Sequence, residues 1–201
     1  MSEQKQSLRQ KYSKGRQNIQ SLILLVVGLG LMLIAVLVYI ALPGAQAQVQ
    51  QVQQASGYAI PIAVNYPAPE VKIKDLQNNP VALSDFKGQI VLYNAWATWC
   101  PPCKEEMPTL DAYYKDHRAE GFVVVAIEDG EPVDEVAAYA RDHSLTFPVW
   151  PDLTWVATTA FKTDMLPSSF VIDRNGVVRL AWTGPITRES LEKYVTPLIN
   201  E

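Results

Sequence analysis

The only two cysteines of this 201-residue chain, Cys100 and Cys103, lie three apart in Trp99-Cys100-Pro101-Pro102-Cys103. They stand between an apolar run of strand character and a run of helix formers. The thiolate is the reactive form of cysteine, and a helix N-terminus stabilises negative charge through its unpaired amides and its dipole. The i, i+3 spacing brings two sulfurs within disulfide reach without moving the backbone. Cys100, outside the helix, is expected to be accessible and nucleophilic. Cys103, in the first turn, is expected to be shielded and to act as the resolving thiol. Pro101 and Pro102 bring no N–H, which leaves the Cys103 amide as the nearest donor for a Cys100 thiolate. Pro102 also disfavours a helical conformation at Pro101, so the helix is expected to start a residue late.

Other chemistries for this pair are less favoured. A zinc site needs a second pair of ligands, and His117 and His143 are too far apart in sequence to supply one. No metal and no separate cofactor are expected. A purely structural bridge is possible outside the cytoplasm, but so small a loop constrains the unfolded chain little. The net charge of -4 argues against a general nucleic-acid binder. With 48% hydrophobic and 19% charged residues, the chain is not a disordered polyelectrolyte.

The elements that must position the pair can be read in coarse form. Ile90 to Ala95 and Phe122 to Ile127 are continuous apolar runs of strand length, the pattern of strands covered on both faces. Val71 to Lys74 alternates like a short edge strand. Phe170 to Ile172 and Val177 to Trp182 are joined by Asp173-Arg174-Asn175-Gly176, a hairpin turn signal. Helices are expected from Pro102 to about Arg118, kinked at Pro108, from Val133 to His143, and from Ile186 to Ile199 with Thr187 as N-cap. The order is that of an α/β domain with a central mixed sheet flanked by helices.

The N-terminal part is of another kind. Lys5, Arg9, Lys11, Lys14 and Arg16 face one acid, Glu3, and the uncharged run Leu22 to Leu42 follows. As a helix it spans roughly 30 Å, the thickness of a bilayer's hydrocarbon core. Basic residues on its N-terminal flank orient that end to the cytoplasm. The organisation expected is a cytoplasmic tail (1–20), a single transmembrane helix (21–42), a Gln/Ala-rich linker (43–60) and a folded domain (61–201) outside the cell membrane. Ala45-Gln46-Ala47 resembles a signal-peptide cleavage site, but the apolar run is longer than a usual signal core.

Four matches, one of them in two pieces, carry a family resemblance. Asn94 to Pro108, the lead-ins Ala68-Pro69-Glu70 and Leu83 to Gly88, Leu145 to Val149, and Pro167 to Asp173 together resemble the membrane-anchored thioredoxin-like proteins of the TlpA/ResA/CcmG type. The resemblance covers nearly all of residues 65–200 and implies a thioredoxin-like fold. It implies that Pro167, after Leu166, is a cis-proline whose loop faces the cysteines and binds substrate together with Trp99. It implies a proton-relay role for Glu106; the bland alternative is that Glu105 and Glu106 merely complement the helix N-terminus. Asn94 stands where many cytoplasmic thioredoxins have a buried acid, and an amide cannot accept the Cys103 proton. Met165 stands where the family commonly has glycine. Glu128-Asp129 also departs from the usual pattern, and a loop charge is the favoured reading there over a second proton relay.

The function expected is reduction of disulfides in selected proteins, such as apocytochrome c, by a monomer recharged from a membrane electron donor. A disulfide-forming oxidant with the same site and a non-enzymatic binding module are the alternatives. A peroxidase is weaker, because no threonine-containing peroxidatic motif surrounds Cys100.

Overall fold

The computed structural model describes residues 29–33 and 60–201. Residues 29–33 are helical. The rest of the apolar run, the basic tail, the Ala45-Gln46-Ala47 site and nearly all of the linker lie outside the described residues. Among the described residues no helix is long and apolar enough to cross a membrane.

The folded part is built on a six-stranded mixed sheet. In chain order its strands are β1 (Ile62–Pro67), β4 (Ile90–Trp96), β5 (Phe122–Glu128), β6 (Val149–Pro151), β7 (Ser168–Ile172) and β8 (Val177–Thr183). A separate ribbon pairs β2 (Lys72–Lys74) with β3 (Pro80–Ala82). Across the main sheet the order is β1-β8-β7-β4-β5-β6. β4 runs parallel to β5 and antiparallel to β7, and β5 is parallel to β6. The helices are α1 (Pro101–His117), α2 (Val133–Asp142), α3 (Val156–Phe161), α4 (Arg188–Tyr194) and α5 (Thr196–Ile199).

The two continuous apolar runs are the buried heart of the sheet, as their lack of alternation requires. Every residue of β4 and β5 is buried. Because successive side chains point to opposite faces, the strands feed two cores. Ile90, Leu92 and Trp96 pack with Met107, Leu110 and Tyr113 of α1 and with Leu191 of α4. Val91, Tyr93 and Ala95 pack with Ala157 and Phe161 of α3.

Several local expectations are corrected. Val71 to Lys74 is not an edge of the main sheet: Lys72–Lys74 pairs with β3 instead. β1 is an edge strand of that sheet, unmarked in sequence because its residues are mostly exposed and a proline ends it. α1 begins at Pro101 directly after Cys100, not a residue late, since a first turn needs no proline N–H. It continues through Pro108, where both Pro108 and Lys104 are exposed. The single C-terminal helix is two, broken at Val195, because Pro197 has no N–H to reach back to Lys193. The Thr187 cap is present and accepts from the Ser190 amide at 3.1 Å. The Asp173–Gly176 turn also closes as its residues predict. Gly176 sits at φ 80°, and the Asp173 carboxylate accepts the Asn175 and Val177 amides.

Leu110, fully buried where α1 meets the sheet, tests the packing. Leu110→Ala is expected to lower unfolding free energy by about 2–5 kcal/mol in urea denaturation. A loss well below about 1 kcal/mol would mean that α1 is not seated on β4 as described.

Candidate active site

β4 ends at Trp96, and the chain crosses Ala97-Thr98-Trp99 to reach Cys100, the N-cap of α1. Cys100 has extended backbone, φ -92° and ψ 104°, and its sulfur accepts a hydrogen bond from the Cys103 amide at 3.3 Å. This is the donor that the two prolines leave available. The cysteines form a disulfide with their Cα atoms 5.3 Å apart.

The expectation that Cys100 is open to solvent is corrected: in the disulfide form it is only 3% exposed, and Cys103 is fully buried. The exposed group is its neighbour Trp99, at 65%. Cys100 lies in a groove of about 420 Å³ walled by Trp99, Pro101, Pro102, Thr158, Met165 and Leu166. The sulfur is reached through this groove rather than from a bare surface. Asp129 and Asp164 line it as well. Met165, the departure noted in sequence, stands exposed on the rim. The Leu166–Pro167 peptide is cis. Leu166 contributes to the wall, while Pro167 is buried beside it and its carbonyl accepts the Gly184 amide at 2.8 Å.

Behind the disulfide lies a buried polar network. Glu106 is one turn along α1 from Cys103 and is buried, whereas Glu105 is exposed. The reading of both acids as helix-terminus complements therefore fails for Glu106. One of its oxygens accepts from Asn94 Nδ2 and the other from the Ile186 amide, both at 2.8 Å. Asn94 also donates to Ser169 Oγ at 2.9 Å. Asn94 and Ser169 are direct partners across β4 and β7, so the sheet register aligns this network. Burial pushes the Glu106 carboxyl up to about 7, against the pull of the Ile186 and Asn94 donors.

A second buried acid overturns the loop-charge reading of Glu128. It is the last residue of β5 and is fully buried. Burial is the main cause that pushes it up to about 8, with Glu131 and Asp129 adding to the effect. Asp129 accepts from Thr158 Oγ1 at 2.6 Å. Sequence reading missed Glu131, which accepts both the Thr98 amide, at 2.7 Å, and the Thr98 hydroxyl. It also missed Ser169 and the Ile186 amide, because no local signal ties residues so distant in the chain to Cys100. Among the described residues no group of three His, Cys, Asp or Glu side chains is arranged to hold a metal.

Residues 64–181 match the AhpC/TSA family. The chain belongs to that family. It is 36% identical over 134 residues to thiol-disulfide oxidoreductase ResA of Geobacillus kaustophilus, covering 67% of this chain and 77% of that protein. It is 33% identical over 128 residues to the ResA of Bacillus subtilis, covering 64% and 72% of the two chains. A solved thiol:disulfide interchange protein of the thioredoxin family from Chlorobium tepidum matches with TM-score 0.62 and 28% identity, over 69% of this chain and 99% of that one. This member of the AhpC/TSA family thus has the expected thioredoxin-like fold, and the expected enzyme class is that of its relatives.

The Glu106 environment predicts a stability change of definite sign. A carboxyl raised from 4.5 to about 7 stabilises the fold when protonated, and that contribution is lost as pH rises through this window. The loss is on the order of 3 kcal/mol. In denaturation curves between about pH 5 and about pH 7.5 the wild type is expected to become progressively less stable relative to Glu106→Gln, a neutral near-isostere that does not titrate. A difference that stays constant with pH, or moves in favour of the wild type, would contradict the assignment.

Proposed function

We propose that the protein is an extracytoplasmic thiol–disulfide oxidoreductase, tethered by its apolar N-terminal segment, that reduces disulfides in selected proteins. The observation that carries this reading is the placement of a Cys100–Cys103 disulfide at a helix N-cap, with Cys100 lining a groove of about 420 Å³. The basic tail before Leu22 supports the orientation, with the folded part outside.

In the proposed cycle the reduced Cys100 thiolate attacks one sulfur of a substrate disulfide. The substrate's other sulfur leaves as a thiolate, and a mixed disulfide forms. Cys103, deprotonated in turn, attacks the Cys100 sulfur. The second substrate thiolate is released and the Cys100–Cys103 bond closes. Two electrons pass to the substrate, and two protons end on its thiols. A membrane electron donor then restores the dithiol, and no separate cofactor takes part.

Glu106 is the proposed acceptor of the Cys103 proton. It lies one turn away, and with a value near 7 it can both take and return a proton at neutral pH. Asn94 cannot do so, because its Nδ2 is already the donor in two hydrogen bonds and an amide is not a base. Trp99 and Leu166 are proposed to hold the substrate segment across the sulfur, with Pro167 fixing the Leu166 side of the groove. Haem-binding cysteines of apocytochrome c are the proposed physiological disulfide.

Cys100→Ser in the full chain is expected to abolish reduction of insulin disulfides, and retained activity would refute the assignment. Cys103→Ser is expected to accumulate mixed disulfides with substrate proteins, which a pure binding module would not. Equilibration with glutathione fixes direction: a reduction potential well below about −200 mV marks a reductant, and one above it an oxidant.

A further inference from the structure

The acids at the end of β5 take no part in the proposed cycle, yet they reach the turn that presents Cys100. We infer that Glu128 and Glu131 form a paired-carboxyl clamp on Thr98 that positions the Thr98–Cys100 turn, which makes them positioning residues for disulfide exchange. The consequence for exchange rests on the oxidoreductase reading; the clamp itself does not.

The geometry begins with register. Glu128 lies opposite Trp96 where β5 and β4 end together, and the Asp129 amide donates to the Trp96 carbonyl at 3.0 Å. The chain then turns at Gly130, with φ 95°. A Cβ there would meet the Trp155 Nε1 atom at 2.8 Å, so the Trp155 ring packs closely on this left-handed turn. That turn brings Glu131 back over Glu128, and the Glu131 amide donates to both Glu128 oxygens at 3.2 and 3.0 Å. The Glu131 carboxylate in turn takes the Thr98 amide on one oxygen and the Thr98 hydroxyl on the other. Thr98 is two residues from Cys100 and stands in no strand or helix. These two bonds hold its side chain and its amide together.

The charges around Glu128 are all of one sign. Glu131 and Asp129 face it from its own loop. Just after β6, the Asp152 amide donates to the Glu128 carbonyl, while the Asp152 carboxylate accepts the Val156 and Ala157 amides. β4 contributes Trp96 and β6 contributes Pro151 in register, neither of them charged. Among the described residues no Lys or Arg pairs with any of these acids. A Glu128 anion would therefore be buried among anions. Burial above all, with the Glu131 and Asp129 charges adding to it, raises Glu128 to about 8, and the bond from the Glu131 amide offsets this only in part. Against its own burial, Glu131 is held below its usual range, with the Thr98 amide and hydroxyl among the donors. Above about pH 8 two neighbouring anions repel, and the strain falls on the grip that Glu131 keeps on Thr98.

The test uses the ¹⁵N-labelled full chain in its disulfide form, where no thiol titrates. The Thr98 amide resonance, followed from about pH 6 to about pH 10, is expected to shift with a midpoint near 8. The inflection should vanish in Glu128→Gln and in Glu131→Gln and persist in Glu106→Gln. A flat Thr98 titration in the wild type, or an unchanged inflection in both clamp variants, overturns the clamp. The wild-type titration needs no variant to fold. For the dithiol, the wild-type to Glu128→Gln ratio of insulin-reduction rates should change by about threefold or more across the same range. A constant ratio overturns the positioning role. A wild type that reduces no insulin would sink the oxidoreductase reading, while the Thr98 titration still decides on the clamp.

Discussion

Cys100 is held by the junction at which a strand with no exposed face becomes a helix. β4 is buried along its length between β5 and β7, so its last residue has a fixed position in the sheet. Four residues later Cys100 caps α1, whose inner face packs on the same strand. Strand, turn and helix are thus one mechanical unit, and the sulfur sits at its corner. The two prolines thin out the amides of the first turn, which leaves Cys103 N–H as the donor to Cys100. A single amide in this position moderates the stabilisation that a full helix terminus offers an anion.

Two buried carboxyls flank this unit and illustrate how surroundings divide the work of similar groups. Burial raises both. Glu106 sits between donors on β4 and before α4, which favour its anion and bring it near neutrality. Glu128 has another acid as its principal partner, so its neutral form is favoured more strongly. The first environment suits proton exchange with a thiol. The second suits a fixed hydrogen bond. Asn94 belongs to the first network as a donor only, which separates the alignment of Glu106 from its acid–base chemistry.

Much of the fold was legible because the signals are local. IVLYNA and FVVVAI announce doubly covered strands, DRNG announces its turn, and Thr187 announces its cap. The misreadings were also physical. β1 is mostly exposed and carries no alternating pattern, so only its partner β8 identifies it as a strand. β6 has three residues and ends in proline, and it exists because β5 offers it an edge. Cys100 was expected to be open on the ground that it precedes the helix, but groove walls from residues 158 and 163–166 close over it.

By itself the sequence determined the chemistry and its corner: two thiols three apart, after a buried strand and before a helix, followed by an acid at Glu106. Those features depend on neighbours within a few residues. Tertiary structure decided how that chemistry is set. It buried Glu106 rather than Glu105, joined Asn94 to Ser169 across strands 75 residues apart in sequence, and placed Glu131 on Thr98. The physical reason is that a carboxyl's proton affinity and a sulfur's exposure are set by dielectric and contact. Both are supplied here by segments that meet only when the sheet has formed.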